Sequence, residues 1–155
     1  MADLKAGDQA PRFSLPADGG GEASLESLRG KKVVLYFYPK DDTTGCTREA
    51  LDFSTQIDAF RAAGAVVVGL SKDSVRKHDN FKAKHSLAVT LASDTEGEVV
   101  EAYGVWVEKK LYGRTYMGIE RATFLIDAKG VVRRVWRKVR VPGHAEAVLE
   151  AVRAL

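Results

Sequence analysis

The chain has 155 residues, with 24 Lys or Arg against 21 Asp or Glu, a formal charge of +3, and 45% hydrophobic residues. That balance is the one of an ordinary soluble domain, and the length suits one domain over residues 1–155 that buries roughly 68–70% of its extended-chain surface. Nothing approaches the ~20 apolar residues of a membrane span, Met1–Asp8 lacks the apolar core of a secretory signal, and the single cysteine, Cys46, forms no internal disulfide. A membrane protein and a disulfide-stapled secreted scaffold are excluded, and the cytoplasm is the expected compartment.

In chain order, Phe13-Ser14-Leu15 and Ala23-Ser24-Leu25 flank Gly19-Gly20-Gly21 and read as an N-terminal β-hairpin. Val33 to Tyr38 is an apolar, β-branched and aromatic run that fits a strand buried on both faces, stopped by Pro39. Ala50, Phe53, Ile57 and Phe60 then recur at helical spacing as one stripe, ended by Gly64. A second buried strand covers Ala65–Leu70, Asp73 is placed to cap a polar helix running to about Lys84, and Val89-Thr90-Leu91 is a third, short strand. Residues 97–103 suggest a helical turn anchored by Tyr103. Ala122–Asp127 and Val131–Trp136, joined by Ala128-Lys129-Gly130, form the strongest hairpin signal, and Val148, Leu149, Val152 and Leu155 mark one face of a last helix. This order requires a mixed sheet with helices packed on it. Right-handed crossovers leave few windings, of which a thioredoxin-like α/β/α sandwich is one.

Charge is uneven. Residues 109–140 hold ten Lys or Arg against Glu120 and Asp127. Clustered positive charge is the footprint of a nucleic-acid surface, but no nucleic-acid motif accompanies it. Arg133, Arg134, Arg137 and Lys138 instead alternate with apolar residues as the solvated positions of a half-buried strand do. No nucleotide-binding, serine-hydrolase or zinc-protease signature is present, so no cofactor is expected. His78 and His85 could share a helical face without a ligand set for a metal, and His144 reads as a surface or capping residue.

The chemistry points to Pro39-Lys40-Asp41-Asp42-Thr43-Thr44-Gly45-Cys46-Thr47-Arg48-Glu49. This segment joins the C-terminal end of a buried strand to a helix N-terminus, where open α/β sheets bind ligands. A thiol in the first helical turn faces unpaired N–H groups and the positive end of the helix dipole, which favour its reactive thiolate form. Thr43 can aim its hydroxyl at whatever Cys46 attacks, Gly45 allows close approach of a substrate, and Pro39 stiffens the wall. Each has a plainer reading: a buried cysteine, a helix cap at Thr43 or Asp42, turn residues at Asp41 and Asp42, a strand end at Pro39. Their convergence on one helix start favours the functional reading.

The segment carries the Pro-x-x-x-Thr-x-x-Cys motif and resembles peroxiredoxins, specifically the PrxQ or bacterioferritin comigratory protein subfamily. The similarity continues through Gly7-Asp8-Gln9-Ala10-Pro11, Gly69-Leu70-Ser71-Lys72-Asp73, Gly118 to Asp127 and Trp136-Arg137-Lys138-Val139. The resemblance implies a peroxidase acting on hydrogen peroxide or organic hydroperoxides. Cys46 would be the nucleophile that becomes a sulfenic acid, Thr43 would hydrogen-bond the peroxide, and Pro39 would shield it from water. Arg121 would stabilise the sulfur and the leaving oxygen, and Glu49 resembles the residue that orients that arginine, with a surface ion pair as its plainer role.

In many relatives a second, resolving cysteine lies five residues later or on the next helix, where this chain has Leu51 and Lys82. One-cysteine turnover is therefore expected, with an external thiol (thioredoxin, or glutaredoxin with glutathione) as reductant and a monomer, or else a dimer, as the assembly. Thr44 stands where the family usually has proline. The alternatives are a redox sensor signalling through Cys46 oxidation and a thioredoxin-fold protein with an inert thiol.

Overall fold

The computed structural model describes residues 3–155. Nine strands and five α-helices follow one another as β1 (Ser14–Pro16), β2 (Glu22–Ser24), β3 (Lys32–Phe37), α1 (Thr44–Thr55), α2 (Ile57–Ala62), β4 (Ala65–Ser71), α3 (Val75–His85), β5 (Thr90–Ser93), α4 (Glu98–Ala102), β6 (Trp106–Leu111), β7 (Arg114–Ile119), β8 (Ala122–Ile126), β9 (Val132–Trp136) and α5 (His144–Arg153). The central sheet has the order β5-β4-β3-β8-β9. β3, β4 and β5 are parallel, whereas β8 is antiparallel to both β3 and β9. It is a thioredoxin-like mixed sheet, as expected. Among the described residues no helix is long and apolar enough to cross a membrane.

β3 lies mid-sheet, which is why its sequence is apolar without alternation. Val34 and Tyr36 face a core built with Phe53, Phe60, Phe81, Val148 and Leu149 from α1, α2, α3 and α5. Leu35 and Phe37 face the opposite core, closed by the β1–β2 hairpin through Phe13 and Ala23 and by α4 with Tyr103. Tyr103 is the expected anchor: it is fully buried and donates its hydroxyl to the Pro11 carbonyl at 2.7 Å. At the β8–β9 turn, Gly130 adopts φ +84°, a left-handed geometry that favours glycine.

Several expectations change. The helical stripe is interrupted at Gln56, so Phe53 and Phe60 sit on two helices rather than one. Ser74, not Asp73, caps α3, its Oγ accepting from the Lys77 N–H at 3.2 Å; Asp73 turns inward instead. The third strand starts one residue and ends two residues later than expected, and Leu155 lies beyond α5 and is 40% exposed, off the buried stripe. Arg133 and Arg134 are both exposed, as expected, and the β8–β9 register shifts between Leu125 and Ile126 beside them. The basic block also contains the unanticipated hairpin β6–β7, whose outer half exposes Leu111, Tyr112, Tyr116 and Met117.

Candidate active site

Antiparallel pairing of β3 with β8 places Phe37 opposite Ala122. The loop that leaves the C-terminal end of β3 therefore meets Arg121, the residue entering β8. Pro39, half-buried, starts that loop, and α1 begins at Thr44 with Cys46 in its first turn. Arg121 Nη2 donates to Cys46 Sγ at 3.3 Å, and its Nη1 donates to Glu49 Oε1 at 2.7 Å. Cys46 and Glu49 stand three positions apart on α1, which puts both on one helical face within the span of a single guanidinium.

Burial sets the electrostatics. Cys46 is 2% and Glu49 1% exposed. Burial pushes the Glu49 carboxyl up to about 7, against the opposing pull of Arg121, and its Oε2 has no hydrogen-bond partner among the described residues. Burial alone would lower Arg121, but Glu49 and Cys46 more than offset it and hold the guanidinium above its ordinary value. The cation stays charged beside the sulfur, where donors fixed in advance stabilise negative charge without reorganising.

The remaining expected residues fall around this pair with altered parts. Thr43 precedes α1 but caps nothing; its hydroxyl donates to the Lys40 carbonyl at 2.9 Å, leaving its oxygen lone pairs free to accept. Gly45 leaves room for the guanidinium: a Cβ there would stand 3.2 Å from Arg121 Nη2, the nitrogen that faces Cys46. Asp42 has φ +60° and binds Lys84 at 2.7 Å and His85 at 2.8 Å, so it is more than a turn residue.

His144 is not a surface or capping residue. It is 7% exposed, pairs through Nε2 with Thr123 Oγ1 at 2.7 Å, and meets Phe53 and Trp136 edge-on. Burial, and then the Arg121 charge, push it down to about 4, so it is neutral at physiological pH. Lys109 was also missed. It is half-buried, and its stem crosses Gly118, where a Cβ would lie 3.2 Å from Lys109 Cδ. Burial and Arg121 lower it while Cys46 and Glu120 oppose, which marks a second cation within electrostatic reach of the sulfur. Nothing in the sequence separates Lys109 from its basic neighbours; only the β6–β7 pairing does.

Asp41, Asp73 and His78 bring potential metal-ligand atoms within 4.8 Å of one another. The acidic partners that His78 lacked in sequence thus come from other elements. These atoms already serve as one another's hydrogen-bond partners or those of neighbouring groups, which makes the cluster a polar network rather than an open ligand set.

A thiol at a helix start, beside a guanidinium at the end of a thioredoxin-like sheet, is an arrangement suited to a thiol peroxidase. The chain belongs to the AhpC/TSA family, whose profile matches residues 6–135. It is 53% identical over 146 residues to the putative peroxiredoxin bcp of Coxiella burnetii, covering 94% of this chain and 97% of that protein. It is 45% identical to the peroxiredoxin Bcp of Bacillus subtilis, covering 97% and 96%. Among solved structures, a cysteine-to-serine mutant of Xylella fastidiosa PrxQ superposes with a TM-score of 0.93 at 37% identity, over 99% of this chain and 98% of that one. The Xanthomonas campestris bacterioferritin comigratory protein, described for its alkyl peroxide reduction activity, gives 0.87 at 46% identity, over 92% and 90%. The protein is a thiol-dependent peroxidase of the PrxQ type, and with one cysteine in the chain it is of the one-cysteine kind.

Proposed function

We propose that Cys46 is the peroxidatic nucleophile and that Arg121, Thr43 and Pro39 complete its site, with Gly45 and Glu49 in support. The observation that carries this reading is the Arg121 fork, one nitrogen on the sulfur and the other on Glu49. The thiolate attacks one peroxide oxygen; an S–O bond forms, the O–O bond breaks, and its electron pair leaves on the other oxygen, which takes up a proton as water or alcohol. Negative charge moves from sulfur to oxygen along that path, and a donor that already faces the sulfur can follow it. With its own proton committed to Lys40, Thr43 accepts from the peroxide O–H and fixes its orientation.

An external thiol then attacks the sulfenic sulfur, releasing water and forming a mixed disulfide that a second thiol cleaves. Thioredoxin and glutaredoxin with glutathione are the reductants this reading names, and a monomer the assembly. A thiol that returns to the reduced state in every cycle suits a reducing, cytoplasmic setting. Because Cys46 is 2% exposed, a protein reductant reaches its sulfur only if the first turn of α1 opens. Left unreduced, the sulfenic acid climbs to sulfinic and sulfonic states. The same chemistry serves hydrogen peroxide and alkyl hydroperoxides.

Rapid mixing of the reduced protein with peroxide tests the assignment. Oxidation of Cys46 outpaces that of free cysteine at neutral pH and repeats when thiol is supplied, and Cys46→Ser abolishes it while leaving thermal unfolding nearly unchanged. A rate no faster than free cysteine overturns the assignment. A fast first turnover that no reductant in a panel can renew points to a sensor instead.

A further inference from the structure

Asp41 looks like an ordinary turn residue in sequence, yet it is 9% exposed and His78 is wholly buried. His78 Nε2 lies 2.9 Å from the Ala92 carbonyl, which can only accept, so Nε2 carries a hydrogen. His78 Nδ1 lies 2.6 Å from Asp41 Oδ2, and a contact that short between two acceptor atoms requires a proton held between them. The other oxygen, Oδ1, accepts from the Tyr38 hydroxyl at 2.5 Å. Burial, then Tyr36 and Asp41, hold Tyr38 well above its ordinary value, so it keeps that proton and donates it. The Asp41 N–H in turn donates to Asp73 Oδ2 at 2.8 Å, which also accepts from Ser71 Oγ.

Every polar atom of the Asp41 carboxylate and of the His78 ring is thus used, and beyond the pair itself the partners are Tyr38, just after β3, and Ala92 of β5. The object they fix is the loop of Pro39 to Thr43. Outside, Asp42 is tied to Lys84 and His85 of α3. Thr43 is tied to α1 through the Thr47 N–H on its carbonyl at 2.8 Å, whereas the residues before it lack regular hydrogen bonds and are otherwise the part of the site free to drift.

We propose that the Asp41–His78 pair is a positioning device for peroxide reduction, which locks the Pro39–Thr43 loop onto α3 and β5 and so sets Thr43 against the start of α1. It rests on the reading of Pro39 and Thr43 given above, and it adds two residues that do not touch the peroxide. What the pair supplies is hydrogen-bond geometry, not charge. An asparagine at 41 would donate its amide N–H to Nδ1 and accept from Tyr38 with its carbonyl, keeping each link. An alanine at 78 would break the lock.

The test compares two reactions of Cys46 in the wild type, His78→Ala and Asp41→Asn. One is oxidation by hydrogen peroxide, which needs the seated peroxide; the other is alkylation by iodoacetamide, which needs only the thiolate. His78→Ala should oxidise about 10- to 100-fold more slowly, the scale of misplacing a reacting group by about 1 Å, while alkylation is unchanged or faster. Asp41→Asn should oxidise close to the wild-type rate. Should His78→Ala not fold, His78→Gln keeps a donor for the Ala92 carbonyl, and its ratio of the two rates should shift the same way. Equal falls in both reactions would reduce the pair to a structural role and overturn the proposal. So would an Asp41→Asn rate as low as that of the position-78 variant. A slow wild-type oxidation would instead strike the peroxidatic reading beneath it, so the two failures are distinct.

Discussion

Replacing Arg121 by alanine removes two donors at once, and the losses have separate readouts. One is the Nη2 contact to Cys46; losing a donor aimed at developing charge typically costs ~10²–10³ in rate, roughly 2.7–4 kcal/mol. The other is the Nη1 contact to Glu49, whose second oxygen is already unpartnered. Glu49 titrates at about 7 in the fold against 4.5 in its ordinary state. Its favourable contribution is therefore complete below pH 4.5, declines as pH rises, and levels off above about 7, where the folded carboxyl also ionises. Arg121 is what holds the folded value down to about 7; without it that value moves higher and the decline continues.

The extra loss in Arg121→Ala is near zero at pH 6 and on the order of 1 kcal/mol one pH unit above the wild-type titration, added to a pH-independent loss of packing. Urea unfolding at pH 6 and pH 8 measures it, in a Cys46→Ser background so that the thiol contributes no charge. A penalty equal at the two pH values would refute the coupling between Glu49 and Arg121. A peroxide rate near wild type in the Cys46 protein would remove Arg121 from the reaction.

Gly45→Ala should separate stability from activity: the helix gains up to about 1 kcal/mol, whereas the new Cβ, 3.2 Å from Arg121 Nη2, displaces the guanidinium and slows peroxide oxidation about 10-fold. An unchanged rate would show that the Nη2 position is not critical. Thr43→Val should slow the peroxide step strongly and Thr43→Ser only mildly, because serine keeps the accepting oxygen; equal losses would make the role packing. His144 titrates at about 4 against 6.5, so it favours the fold above pH 6.5 and that contribution is lost as pH falls toward 4. His144→Gln should flatten the acid limb of an unfolding-midpoint profile between pH 7 and pH 4.5, and an unaltered limb would contradict the neutral, buried state of the ring.

What could be read in sequence was what is local. β3 and β4 announce themselves because strands buried on both faces cannot alternate, and the β8–β9 hairpin because its turn ends in glycine. The break at Gln56 left no trace, since Phe53 and Phe60 keep helical spacing across it. The β6–β7 hairpin was hidden because Tyr116, Met117 and Leu111 are exposed on it, so no buried face imposes a period of two. Cys46 and Thr43 were legible from their place at a helix start. Arg121 was legible only through family resemblance, because its approach to Cys46 comes from the pairing of β3 with β8 across 75 residues. Asp41 with His78 and Thr123 with His144 were illegible for the same reason: each joins polar residues from separate elements, and a polar residue alone gives no sign that it will be buried.

The geometry also explains where such hidden pairs are needed. α1 carries the sulfur and the carboxylate on one face, and Arg121 immediately precedes β8, so the fork joins a regular helix to the residue at the mouth of a regular strand. Their relative placement follows from strand register and requires little else. Thr43 is tied to α1 by the Thr47 N–H on its carbonyl, but Pro39 to Asp42 lie in the irregular segment between β3 and α1. A site that divides its work between rigid elements and one loop concentrates its positional freedom in the loop. The buried polar contact from α3, through a histidine that β5 holds in place, falls on that segment, where backbone regularity does least to fix the chain.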